Sequence, residues 1–260
     1  MPPRALKPVA VVLVDKPAGP SSFALVADLR RRTRARTGHA GTLDPFATGL
    51  LLLLSGEATR LAPCFVGLDK RYVTDVALTA TTSTGDPEGE VVERHEAPSR
   101  GELHERLAGL RGEVELPIPA ASAVKIGGER AYRLARRGVA VEMPLRRSRV
   151  DALDVITYSE TDRGVESVRL DLHVSSGTYV RAIAQALGGH CTSLRRTDVG
   201  PFTVDEADPE RLIPPSEALA RLPPAAQGRV PAAIRARVLE LEREDGRVDG
   251  AGSHPHAERP

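Results

Sequence analysis

The sequence predicts an α+β protein whose mixed, largely antiparallel sheet is flanked by helices. Three observations carry this. Apolar runs, some continuous and some alternating, mark strands between residues 9 and 174. Apolar stripes at helical spacing, several with capping signals, fall between them. The two element types follow no strict strand–helix–strand rhythm, which disfavours a repeating parallel βα architecture.

Taken in order, Val9 to Val14 reads as a buried strand. Ser21 or Ser22 can cap a helix running to about Arg32, with Leu25, Val26 and Leu29 on one face. A glycine-rich loop around Asp44 precedes a short strand at Leu50 to Leu54, and Glu57 to Val66 reads as helix. Tyr72 to Thr79 alternates as a strand, with Glu90 to Val92 as its expected hairpin partner. Ser99-Arg100-Gly101-Glu102 has the form of a capping box, and Leu103, Leu107 and Leu110 give the following helix its apolar stripe. Glu129 to Arg137 reads as a short basic helix ended by Gly138. Val150 to Tyr158 and Val168 to Val174 read as strands joined by a polar loop at Glu160 to Gly164. Val180 to Leu187 reads as a helix closed by Gly188-Gly189. Residues 214 to 222 suggest one more short helix, and Pro223-Pro224 a linker. Arg229 to Glu244 carries Val230, Ile234, Val238 and Leu241 at helical spacing. The polar, glycine-rich stretch beyond Glu244 reads as disordered.

With 260 residues, the chain accommodates one large domain or two small ones, and 41% hydrophobic residues suffice for a core. Aromatics are only 3%, so the core must be mostly Leu, Val and Ala, and each aromatic is conspicuous. Cys64 and Cys191 cannot form a disulfide framework or a four-ligand zinc site, and both read as reduced, buried thiols. No stretch approaches the ~20 apolar residues of a membrane span. The short run Val9 to Val14 ends at Asp15-Lys16, unlike a signal peptide, so a cytoplasmic protein is expected.

The net charge of +1 says nothing about partners, but its distribution does. Eight basic residues between Ala120 and Val150 face only Glu129 and Glu142. Five arginines between Val26 and Asp44 face two aspartates, whereas seven acids between Asp86 and Glu105 face two arginines. Such segregation permits a basic face and an acidic one. Arginine carries nearly all the positive charge, with lysine only at positions 7, 16, 70 and 125, and arginine suits phosphate and base contacts.

The most informative stretch is Gly38-His39-Ala40-Gly41-Thr42-Leu43-Asp44-Pro45-Phe46-Ala47-Thr48-Gly49. It sets a carboxylate in a glycine-rich loop between a basic segment and a buried strand. Pro45 pushes the Asp44 backbone toward an extended conformation. Taken alone, an Asp-Pro pair is most often just a turn. The whole run, however, resembles the signature of the tRNA pseudouridine-55 synthases of the bacterial TruB type. Val14-Asp15-Lys16-Pro17 with Ser21-Ser22 resembles that family's opening strand and turn, and Asp69-Lys70-Arg71-Tyr72 its second motif. Ser176-Gly177-Thr178-Tyr179-Val180-Arg181 resembles the third, and Leu194-Arg195-Arg196 the fourth. The order and spacing agree over roughly residues 9 to 220.

The resemblance implies the pseudouridine synthase fold and conversion of uridine 55 in the tRNA T-loop to pseudouridine. It implies a catalytic domain over residues 1–205, with an RNA-gripping insertion at about 118–149, then a short helical extension at 206–222. Many members carry a C-terminal RNA-binding PUA domain. Residues 223–260 lack the alternating strands of one, so here that domain is expected to be absent or replaced.

The chemistry breaks the uracil N1–C1′ bond, rotates the base and joins C5 to C1′, with no oxidation, hydrolysis or group donor. No cofactor and no metal are therefore expected, and the glycines show no Walker or Rossmann spacing. Asp44 is the candidate catalytic carboxylate, able to bond covalently to the sugar or to take a proton. Attack at C1′, addition at C6 and a glycal route all remain open at this level.

By resemblance, Arg181 pairs with Asp44, which would keep it ionised. Its spacing from Tyr179 aims both side chains one way on a strand or turn. Also by resemblance, Tyr72 stacks on the target uracil, Tyr179 and Leu194 line the same pocket, and His39 fills the space left by the flipped base. Lys16 either supports the loop or touches phosphate, and Lys125, Arg130 and Arg133 belong to the gripping segment. Read without the family, Arg181 fits a surface arginine, the tyrosines and Leu194 fit core packing, His39 a loop histidine and Lys16 a solvated turn. The expected partner is the T-arm of tRNA, bound by a monomer with no obligate protein partner and no membrane. The competing functions are the same chemistry in an RNA-guided assembly, a non-catalytic tRNA-binding or folding factor, and a metal-dependent hydrolase. Filled catalytic motifs disfavour the second, and the lack of a visible metal cluster disfavours the third.

Overall fold

A computed structural model describes residues 8–137, 139 and 141–250. In chain order the elements are β1 (Ala10–Lys16), α1 (Ser22–Thr33), β2 (Thr37–His39), β3 (Thr48–Ser55), a 3₁₀ turn at Gly56–Leu61 and α2 (Ala62–Val66). Next come β4 (Lys70–Ala77), β5 (Ala80–Thr82), β6 (Val91–Arg94), α3 (Arg100–Gly109), β7 (Gly112–Pro117), β8 (Lys125–Ile126), β9 (Glu129–Arg130) and α4 (Ala131–Arg136). The remainder are β10 (Leu145–Thr161), β11 (Gly164–Val174), α5 (Val180–Ala186), β12 (His190–Val199), β13 (Phe202–Thr203), β14 (Asp208–Ile213), α6 (Pro215–Ala220), α7 (Pro224–Gln227) and α8 (Ala232–Gly250). These elements form two compact units, one drawn from residues 8–45, 49–68 and 200–250, the other from Phe46–Thr48 and residues 69–199.

In the first unit β1 lies between β14 and β3, and β2 adds to β3, all antiparallel. Ala10 faces Ser55 and Lys16 faces Gly49, so the full length of β1 is paired with β3. Leu50 to Leu54 are all at most 2% exposed, so β3 is buried on both faces, as its unbroken apolar run requires. Burying each such leucine is worth about 1.5–3 kcal/mol. Val26 and Leu29 of α1 join this core, and the Phe65 and Phe202 rings pack at 6.0 Å between centroids. Ser21 rather than Ser22 caps α1, accepting from the Ala24 N–H at 3.2 Å.

The second unit orders its strands β12-β4-β11-β10-β7, again antiparallel at every pairing. The long β10–β11 hairpin turns at residues 162–163. Its inward residues Leu153, Val168, Leu170 and Leu172 are 0–1% exposed. The capping box of α3 forms as expected, with Ser99 accepting from the Glu102 N–H and the Glu102 carboxylate accepting from the Ser99 N–H. The fold class is the expected one, a largely antiparallel sheet flanked by helices.

Several local expectations need correction. The stretch around Glu90 does not pair with the Tyr72 strand; β6 pairs with β5, while β4 takes β11 and β12 as neighbours. Residues 57–66 divide into a 3₁₀ turn and a short α-helix because Pro63 cannot donate into a continuous ladder. Residues 129–137 are not one helix. Glu129–Arg130 closes a hairpin with Lys125–Ile126 before α4 begins, and Gly138 lies outside the described residues. The supposed linker at Pro223-Pro224 forms α7, with Pro224 in the first helical position where its missing N–H costs nothing. Past Glu244 the chain is not disordered as far as Gly250: α8 continues to that residue, and 251–260 lie outside the described residues.

Candidate active site

Buried side chains brace the Asp44 loop through its backbone atoms. The Ser22 hydroxyl donates to the Leu43 carbonyl and accepts from the Leu43 N–H, each at 2.9 Å. One buried side chain thus satisfies both polar groups of the residue before Asp44. On the other flank, the Pro45 carbonyl accepts from the Gly19 N–H at 2.9 Å and from the Lys16 ammonium at 3.0 Å. Lys16 also donates to the Pro17 carbonyl at 2.9 Å and is fully buried. A solvated turn lysine is therefore excluded, and the contacts of this ammonium brace the loop. Leu43 and Ala47 are buried, whereas Asp44 is half-exposed. Gly41, at φ 104°, lets the chain turn into the loop through a region closed to most side chains. His39 ends β2 opposite Leu53 and is half-buried.

The second unit holds the other candidates. Tyr72 lies on β4 between Leu172 of β11 and Arg196 of β12, and is 8% exposed. Leu194, 6% exposed, faces Thr74, whose hydroxyl donates to the Ser193 carbonyl at 2.6 Å. Tyr179 is the half-buried N-cap residue of α5, and Arg181 lies in that helix's first turn. The backbone here is neither a strand nor a simple turn: Tyr179 is extended and Arg181 is helical.

Arg181 is not a surface arginine but 3% exposed. Its Nη1 donates to the Thr84 carbonyl at 2.7 Å and lies 3.2 Å from Asp86 Oδ2, and its Nη2 donates to the Ala121 carbonyl at 3.0 Å. Asp86, equally buried, accepts through Oδ1 from the Thr84 hydroxyl at 2.5 Å and from the Glu88 N–H at 3.0 Å. Its backbone carbonyl accepts from Thr82 at 2.8 Å. This turn is tight because Gly85 takes φ 73°; a Cβ there would lie 3.0 Å from Gln185 Cδ and 3.3 Å from Arg181 Cβ. Sequence reasoning counted Asp86 only as one acid in an acidic stretch. The signal was its setting, Thr82-Ser83-Thr84-Gly85-Asp86, a turn rich in short hydroxyl side chains around a glycine.

The remaining candidates lie on the insertion. Lys125 pairs with Arg130 across a two-residue turn in which Gly127 and Gly128 take φ 56° and 89°, the type I′ signature. The Arg130 guanidinium donates to the Ala123 carbonyl, and Arg133 stands over the Tyr132 ring at 5.9 Å. Lys125, Arg130 and Arg133 are all exposed.

Among the described residues one group has metal-ligand potential, Asp69, Asp151 and His173, with ligand atoms within 4.8 Å of one another. Arg149 already bridges its carboxylates, 3.2 Å from Asp69 and 2.7 Å from Asp151. The hydrogen bond from Arg149 holds the Asp151 carboxyl below its usual range. A cation seated there would repel a second one.

Comparison with known proteins agrees with this arrangement of motifs. Residues 30–180 match the family model described as TruB family pseudouridylate synthase (N terminal domain). The chain is 45% identical over 210 residues to a tRNA pseudouridine synthase B of Mycobacterium sp. (strain KMS), covering 76% of this chain and 70% of that protein. It is 39% identical over 249 residues to the enzyme of the same name from Leifsonia xyli subsp. xyli, covering 90% and 80%. Among solved structures it resembles a chain of a Cbf5–Nop10–Gar1 complex, with a TM-score of 0.58 and 26% identity. That match covers 78% of this chain but only 52%, about half, of the other. With a matched model that spans the Asp44 loop and reaches into the third motif, and relatives this similar along most of its length, the chain belongs to the TruB family of pseudouridylate synthases.

Proposed function

We propose that this protein is a tRNA pseudouridine synthase, an isomerase that converts uridine 55 of the T-loop to pseudouridine. The observation that carries the reading is Asp44: a half-exposed carboxylate on a loop braced on both sides by buried donors and acceptors. Rigid presentation of one carboxylate is what a base- or sugar-directed reaction needs, since a displacement of about 1 Å costs about 10²-fold in rate.

The reaction is balanced within the uridine. The N1–C1′ bond breaks, the freed uracil turns over, C5 bonds to C1′, and the C5 proton leaves while N1 gains one. Asp44 acts on the sugar or on the ring. Tyr72, Tyr179 and Leu194 enclose the detached uracil, with the tyrosine rings offering stacking faces. His39 occupies the gap left in the RNA stack, and the flip costs only a few kcal/mol in a loop. Lys125, Arg130 and Arg133 contact RNA phosphate from the exposed insertion. Lys16 serves from behind by holding Pro45.

Relatives named tRNA pseudouridine synthase B support tRNA as the substrate. The test is to incubate the protein with an unmodified tRNA transcript, without added metal, and to map pseudouridine by carbodiimide treatment and primer extension. One new stop at position 55, absent with Asp44→Asn although that variant still binds tRNA, is the expected result. Turnover by Asp44→Asn, or stops only at other uridines, would overturn it.

A further inference from the structure

Within the first unit, one exposed surface is used by nothing described so far. Helix α1 buries Ser22, Val26 and Leu29 and turns the opposite side to solvent. On its flank, about a quarter turn around the axis from the buried positions, Phe23 is 70% exposed, while Phe65 and Phe202 are fully buried. Positions 23, 30 and 34 lie within about 40° of one another around the helix axis, at 100° per residue. Phe23, Arg30 and the C-cap Arg34 therefore form a single line about 17 Å long, at 1.5 Å of rise per residue.

Among the described residues the cations on this line have no acidic partner. Arg31 reaches Asp28 at 2.8 Å and Arg32 reaches Glu210 at 2.7 Å. Among the described residues no acidic side chain pairs with Arg30, Arg34 or the exposed Arg36 that follows. In a chain of net charge +1, neighbouring arginines on other faces have acidic partners while, among the described residues, those on this line do not. The line also starts at the catalytic loop: Phe23 follows Ser22, whose hydroxyl holds Leu43, the residue before Asp44. An exposed flat ring followed by unpaired guanidinium groups is complementary to a nucleic acid strand, the ring taking a base face and the guanidiniums taking phosphates.

We propose that this face of α1 is an additional RNA-contact surface, on which Phe23 stacks an unpaired base of the substrate RNA and Arg30 and Arg34 hold the phosphates of the strand leading to it. The proposal rests on the reading of the protein as a tRNA-modifying enzyme. It assigns α1 to positioning the substrate and leaves the bond changes to the Asp44 loop.

The test measures binding of an unmodified tRNA transcript across a salt series, together with single-turnover pseudouridine formation at saturating protein. The unaltered full chain is compared with Phe23→Ala, Phe23→Tyr, the Arg30→Ala/Arg34→Ala double variant, and Arg60→Ala as a control whose guanidinium is already paired with Glu57. Phe23→Ala should weaken binding about 5- to 150-fold, the loss of one stacked base, with the salt dependence unchanged. Phe23→Tyr keeps a ring and should bind normally. The double arginine variant should reduce the slope of log affinity against log salt by about 1.4–1.8. Saturating rates should match the unaltered chain, since none of these residues meets the reacting atoms. Unchanged affinity and slope in both Phe23→Ala and the double variant, with the unaltered chain active, would overturn this surface and leave the functional reading standing. An unaltered chain that binds tRNA without modifying it, yet loses affinity in these variants, would overturn the functional reading and keep the surface. No tRNA binding by the unaltered chain would overturn both.

Discussion

Asp86 and Arg181 face each other in a buried ion pair, 3.2 Å apart, with side chains only 6% and 3% exposed. The guanidinium also donates to two carbonyls, so its charge is compensated from three sides. Taking one partner from such a pair strands the other. Asp86→Ala should destabilise the protein by about 3–5 kcal/mol in urea unfolding. Asp86→Asn keeps the shape and should cost less. If Asp86→Ala unfolds at the same urea concentration as the unaltered chain, the pair does not hold this region.

Ser22→Ala removes a hydroxyl that serves both polar groups of Leu43. Two buried backbone groups then lack partners, at about 1–3 kcal/mol each. The expected outcome is faster amide exchange at Leu43 and a lower rate of pseudouridine formation at unchanged tRNA affinity. Ser21→Ala, which removes only the cap, should cost about 1 kcal/mol and leave that amide protected.

Gly85→Ala and Gly128→Ala separate two reasons for a glycine. Both positions have positive φ, 73° and 89°, so both substitutions incur about 1–2 kcal/mol of backbone strain. Only at Gly85 would the new Cβ also crowd Arg181 Cβ at 3.3 Å, whereas Gly128 opens onto free space. The melting temperature should fall more for Gly85→Ala. Equal falls would mean that α5 shifts to make room.

Glu206 accepts from Arg221 at 2.8 Å and from the Thr203 N–H at 3.0 Å. The Arg221 hydrogen bond is the main cause that holds its carboxyl below the ordinary range. Because the folded value lies below the unfolded one, about 4.3, the contribution is complete above that pH and is lost as pH falls through the folded value. The stability gap between the unaltered chain and Glu206→Gln should therefore be widest near pH 7 and narrow below about pH 4.3. Urea unfolding at pH 7 and pH 3 would check it; a gap independent of pH would exclude the carboxylate as its source.

Features governed by neighbours in sequence were legible from the sequence. The capping box at Ser99 and Glu102, the helix after Ser21 and the buried run at Leu50 to Leu54 each carry their own signal within a few residues. Partners chosen across the fold were not. The strand at His190–Val199 reads as polar: two irregularities in its pairing with β4 break the alternation of burial, and Arg196 is carried inside the protein. The pairing of β6 with β5 rather than β4 depends on β11 and β12 having taken both edges of β4. In the candidate site, the Asp44 loop could be picked out from its residues, but Asp86 could not. Its turn, Thr82 to Asp86, has a local signature, but nothing nearby in sequence names the arginine 95 positions away that it pairs with.

The two donors that grip the loop at Pro45 both reach for its main-chain oxygen. Every amino acid carries that oxygen, so Lys16 and Gly19 are blind to which side chain stands at this position. What the ring supplies is felt one residue earlier: it denies Asp44 the helical range of backbone angles. Grip and aim are thus separable properties of this turn. An alanine at position 45 would be held as firmly as the proline, while the carboxylate beside it would gain a freedom it now lacks.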